Sequence, residues 1–260
     1  MSRKLNRVTI GERTNLEDVM ADIKKFARDE TLPNRDILLP RAVGELWRFA
    51  RELMMSPMAV KSLLETVRVV RKSSGPGKCT AEEELLNQLQ RIGWNCVGWL
   101  KESGLIPAPH GTVSLQASDP ELQPLCDVVI LLVEFARECF AYSRPHDNFG
   151  GKRRSLTFEI LGTVGDIVEL PDVVELARQT IKKGRTDAQG ATTFLEVYFR
   201  ARKESPDADM ETALLGFAKR TKSRGLAVGA LNVLVETGAI HEWEACDRID
   251  DWKTEHWGGQ

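Results

Sequence analysis

Apolar residues recur along most of this chain at intervals of three and four, the period of a helix with one buried face. Leu16, Val19, Met20, Ile23 and Phe26 form such a stripe, while Glu17, Asp22, Lys24 and Lys25 point elsewhere. Asn15 stands where a cap belongs, since its side-chain oxygen can accept from a free N–H of the first turn. Pro33 and Pro40 bracket a connector. A second helix is expected from Arg41 to about Met55, with Val43, Leu46, Trp47, Ala50, Leu53 and Met54 inward. Ser56-Pro57 is a start signal, a capping hydroxyl before a proline suited to the first turn. The helix it opens carries Val60, Leu63, Leu64, Val67 and Val70 and stops at Ser73-Ser74-Gly75-Pro76-Gly77.

Thr80 and Glu83 have the spacing of a capping box, which predicts a helix running towards Gly104. Gly93 and Gly98 beside Trp94 and Trp99 predict close packing or a bend. Residues 106–118 read as a surface loop. Asp119-Pro120 restarts a helix that is apolar on most sides and is therefore expected at the centre. Ser143 to Arg154 is the main break. Helices follow near 155–168, 171–183, 187–203, 207–221, 224–237 and 239–256. The sole strand candidate is the short Thr112–Leu115. The chain thus divides into an N-terminal extension (1–39), a first helical half (40–149) and a second half (150–260).

That second half is weakly self-similar. Thr157-Phe158 and Thr193-Phe194 lie 36 residues apart, and Pro171-Asp172 and Pro206-Asp207 lie 35 apart. Two helices of about fifteen residues with two turns need roughly 35 to 45 residues. In spacing, Pro-Asp turns and helix pairing the chain resembles the HEAT and armadillo class of helical repeats. The resemblance implies an all-α solenoid over about residues 40–256. An irregular helical bundle is the alternative.

Composition narrows the class. The chain has 260 residues, 42% hydrophobic and 28% charged, with net charge −2, which excludes a wholly basic coat. Its five cysteines include no C-x-x-C pair, and no signal core follows the basic start. The apolar run from Leu125 to Phe135 is too short to span a bilayer. An intracellular protein, cytoplasmic or nuclear and not membrane-bound, is expected.

Catalytic patterns are scarce. Gly75-Pro76-Gly77-Lys78 has Lys72 where a Walker loop needs its first glycine, and Cys79 where it needs Ser or Thr. His241 and Cys246 lie about 140° apart on a helix and match no common zinc spacing. There is no G-x-S-x-G elbow. No cofactor, metal or catalytic residue is assigned. Trp243 and Asp247, four apart on one helix face, resemble the Trp and Asp of helical-repeat alkylpurine DNA glycosylases, and that resemblance implies base excision as a third functional reading.

Charge is unevenly placed. Residues 1–149 balance, 150–224 carry net +3 and 225–260 carry net −5. The basic residues cluster at helix ends: Lys152, Arg153 and Arg154; Lys182, Lys183 and Arg185; Lys219, Arg220, Lys222 and Arg224. Turns stacked every 36 residues or so would align these as a basic ridge for phosphates or an acidic peptide. The acidic end, with Trp243, Asp247, Trp252 and Trp257, reads as a cap or an aromatic partner patch. Opposite charge in the two segments also allows self-association. The leading expectation is a non-enzymatic scaffold that binds a protein or extended peptide in a groove of stacked helices. A nucleic-acid-binding protein using the ridge is the alternative.

Overall fold

The computed structural model describes residues 15–72, 78–103, 115, 119–142 and 149–252. Among these the secondary structure is helical and no strand is present, as the periodicity implied. The Ser73–Gly77 linker, most of the 106–118 loop and Trp257 lie outside the described residues.

Helix α1 (Leu16–Arg28) begins where expected, with Asn15 Oδ1 accepting from the Asp18 N–H at 2.8 Å. All five residues of its predicted stripe are buried. Its last carbonyls are bound by a side chain from the next helix. Arg35 donates from Nε to the Phe26 carbonyl at 2.8 Å and from Nη2 to the Ala27 carbonyl at 3.0 Å.

The next stretch departs from expectation. Helix α2 (Arg35–Gly44) contains Pro40, so the proline does not end a connector. The predicted helix over 41–55 is split into the end of α2, a 3₁₀ turn (Glu45–Phe49) and the short α3 (Ala50–Met54). A 3₁₀ turn advances about 120° per residue instead of about 100°, so by Trp47 the apolar face has slipped by about 60°. Leu46 stays buried and Trp47 turns out to solvent, against the expectation that it faces inward.

Helix α4 (Pro57–Lys72) follows its predicted cap, the Ser56 hydroxyl accepting from the Ala59 N–H at 3.2 Å. Helix α5 (Lys78–Glu102) already includes Lys78 and Cys79, so Thr80 lies inside it and caps nothing. Gly93 does mark close packing. A Cβ there would sit 2.8 Å from Thr163 Oγ1 and 3.2 Å from Leu132 Cδ1, whereas Gly98 has open space. After a 3₁₀ turn capped by Asp119, α6 (Gln123–Tyr142) is buried along most of its length, as its sequence predicted.

Six further helices follow among the described residues: α7 (Gly150–Gly165), α8 (Pro171–Lys182), α9 (Ala188–Arg202), α10 (Ala208–Arg220), α11 (Arg224–Glu236) and α12 (Glu242–Trp252). Helix α7 starts about five residues earlier than predicted, which draws Lys152, Arg153 and Arg154 out of the expected break and into a helix.

Helix α7 is the hub, packed against α5, α6 and α9. Helix α9 packs on α11, and α8 packs on α9 and α10. An aromatic column crosses these layers. Phe140, Phe158, Phe194 and Tyr198 follow one another with ring centroids 4.6, 6.1 and 5.4 Å apart. The paired Thr-Phe steps of the sequence therefore place two fully buried rings in contact. Above them α7 and α9 nearly touch. A Cβ at Gly190 would lie 2.3 Å from the Ser155 carbonyl oxygen and 2.5 Å from Ser155 Cα. Only a residue without a Cβ permits that crossing.

Candidate functional site

Six of the ten candidate ridge residues lie exposed at or beside helix ends. Lys182 and Lys183 end α8, Lys219 and Arg220 end α10, and Lys222 and Arg224 follow; all are exposed. The two helix ends are adjacent, since Arg220 Nη2 donates to the Lys182 carbonyl at 3.4 Å. Cations in a last helical turn also suit the helix dipole.

The other four do not join the ridge. Lys152 pairs with Glu83 on α5 at 2.6 Å. Arg185 is half-buried and turned to Asp187, with burial pulling its pKa below the ordinary guanidinium value. Arg153 and Arg154 are buried. Successive helical residues point about 100° apart, so the two leave α7 in different directions. Arg154 Nε reaches Asp187 Oδ2 at 2.5 Å, its Nη1 donates to the Phe140 carbonyl, and its guanidinium stacks 4.9 Å from the Phe140 ring. Arg153 instead grips the fully buried Glu82 with two bonds, at 2.6 and 2.8 Å.

Glu82 is shared. Arg71 on α4 donates to it from Nε at 3.1 Å and to the Cys139 thiol from Nη2 at 3.0 Å. Burial works against the Arg71 cation, and the Cys139 and Glu82 acceptors outweigh it, so its pKa stays above the ordinary value. Burial likewise pushes the Cys139 thiol up, and Arg71 only partly offsets it. Beside them Arg68 forks onto Glu138, with Nε 2.9 Å from Oε1, and that bond holds the Glu138 carboxyl below its usual range.

A second feature escaped the sequence reading. A groove of about 440 Å³ runs between the Glu45–Met54 segment and α5. Leu46, Leu53 and Ile92 form its floor, and Trp47 and Trp94 its walls. These indoles are 63% and 70% exposed. Trp99 is further along α5, with the Arg51 guanidinium 5.7 Å from its ring.

At the other end, Trp243 is exposed and stacks on His241 with centroids 6.2 Å apart, and Asp247 is exposed on the same helix. Trp252 is buried and belongs to the core. Among the described residues no group of three or more His, Cys, Asp or Glu could hold a metal ion, and no helix is long and apolar enough to cross a membrane. In comparisons with known proteins, no family model, curated protein or solved structure matches the chain.

Proposed function

We propose that this protein is a non-enzymatic interaction module of stacked helix pairs, HEAT- or armadillo-like in plan, that takes a protein partner in the Trp47/Trp94 groove. Contacts of α7 with α9, α9 with α11 and α8 with α10 support the stacked plan, because alternate helices meet as they do in a row of repeats. The groove carries the functional reading. Two indoles more than half exposed, walling an apolar trough, are costly to leave in water. Trp and Arg are the residue types on which protein interfaces concentrate their energy. The occupant is an apolar anchor from another protein, with Arg51 and Arg91 at hand for acidic groups beside it.

Capture from native lysate, followed by direct titration of the purified partner, tests this. The double variant Trp47→Ala/Trp94→Ala is expected to lose the partner by about 100-fold or more while its melting temperature stays near wild type. A partner bound equally by wild type and variant overturns the groove.

The exposed, adjacent helix ends of α8 and α10 favour a second reading, nucleic-acid binding through Lys182, Lys183, Lys219 and Arg220. Phosphate-driven affinity falls steeply with salt, and replacing these four by Glu would abolish it. Titration with single-stranded and duplex DNA at low salt decides, and absence of binding ends this reading.

A further inference from the structure

A cavity of about 470 Å³ opens beside the buried Arg71–Glu82–Arg153 cluster, away from both the aromatic groove and the ridge. Among the described residues its wall carries five cations, Arg68, Arg71, Lys72, Lys78 and Arg153, against one lining carboxylate, Glu138. Behind the wall Glu82 adds negative charge shared between two guanidiniums, and Glu65 acts on Arg68. Among the described residues the cavity therefore keeps an excess of two positive charges. The other acceptor of Arg71, the Cys139 thiol, is buried, and burial raises its pKa. Lys72 and Lys78 make no ion pair among the described residues.

Three of the five cations are also held in place. Arg68 and Arg71 lie 5.8 and 5.7 Å from the Phe135 ring, and Arg153 lies 5.4 Å from Phe149. Arg71 and Arg153 spend Nε and Nη2 on the cluster and keep Nη1 for another acceptor. Low-dielectric walls behind like charges focus the field into the opening. Arginine donors on fixed planes suit phosphate oxygens, and lysines, as compact charges on long stems, add charge without demanding one geometry. The volume falls within the roughly 300–1,000 Å³ range of small-molecule sites. Tyr142, exposed at the rim, offers a ring to an organic group.

We infer that this cavity is a binding site for a small phosphate-bearing anion with two or more negative charges, such as a diphosphate or a nucleoside diphosphate.

The test is calorimetry and thermal melting of the full chain with pyrophosphate, ADP, inorganic phosphate and citrate. Pyrophosphate is expected to bind and raise the melting temperature. Lys72→Glu/Lys78→Glu breaks no ion pair, so it should fold normally and bind pyrophosphate at least about ten-fold more weakly. The milder Lys72→Gln/Lys78→Gln should lose a few-fold. The ridge variant, with Glu at 182, 183, 219 and 220, should bind like wild type. ADP tighter than pyrophosphate places the nucleoside at Tyr142; equal affinities place recognition in the phosphates alone, and both support the site. No stabilisation at millimolar pyrophosphate, undiminished binding by both lysine variants, loss only in the ridge variant, or citrate binding as tightly would each overturn it.

Discussion

Arg153 and Arg154 are neighbours on α7 that end in opposite surroundings. Each meets a fully buried carboxylate, and each carboxylate is shared with a second arginine: Glu82 with Arg71, Asp187 with Arg185. The charge ratio is the same, two cations to one anion. The setting differs. The Arg154 side chain is 5% exposed and also meets the Phe140 carbonyl and ring, while its companion Arg185 is 18% exposed. Arg71 and Arg153 are 14% and 11% exposed and line a cavity with two further lysines. The Asp187 cluster ties α7 to the turn before α9. The Glu82 cluster is open to a cavity and has a face left over for a ligand. Burial of an arginine thus says little until one asks what its unused donors face.

The comparison breaks most easily at Asp187. Asp187→Asn leaves Arg154 buried beside a neutral group, and urea melts should show a loss of about 3–5 kcal/mol. Glu82→Gln should cost less, about 1–3 kcal/mol, because water entering the cavity can solvate Arg71 and Arg153. If the order is reversed, the cavity does not relieve the Glu82 cluster.

Acid should act at the open cluster's rim. The Arg68 bond lowers the Glu138 pKa, so this group's contribution is fully present above the ordinary carboxylate range and is lost as pH falls through the lowered value. Glu138→Gln should flatten that part of the acid limb. Both side chains are partly exposed, at 38% and 27%, so the difference should stay within about 1 kcal/mol.

The smallest effect is a rate of modification. Cys79 and Cys246 are exposed and should alkylate promptly in the native protein. Cys96, whose pKa burial pushes up to about 12, and Cys139 should react only on unfolding. Mass spectrometry of partly labelled protein reads this out. Native labelling of Cys139 as fast as Cys79 would mean that the cavity reaches through the open cluster.

Local physics was legible in the sequence. Asn15 and Ser56 cap where capping chemistry said they would, and the stripes of α1 and α4 are buried as their periods require. The end charges of α8 and α10 were readable too, because a last helical turn is a surface position whatever surrounds it. Long-range pairing was not. Arg153 finds Glu82 71 residues earlier, and Arg154 finds Asp187 33 residues later. Nothing beside Lys152-Arg153-Arg154 announces either partner. One signal was present: on a helix through this stretch Leu156, Phe158, Ile160, Leu161 and Val164 spread over about 200°, and Arg153 and Arg154 fall inside that arc, which leaves only Lys152 on the polar face. Trp47 was misread for a different reason, since a few residues of 3₁₀ geometry rotate every face that follows.

The near-contact of α7 and α9 at Gly190 has a consequence for mutational tolerance. Most stability positions accept a graded series of residues, each slightly worse than the last. Position 190 has no such gradient, because every alternative side chain begins with the same Cβ, set against main chain that cannot swing aside. A saturation library at this codon should return glycine and little else, a binary outcome that marks where the two helices are pinned together.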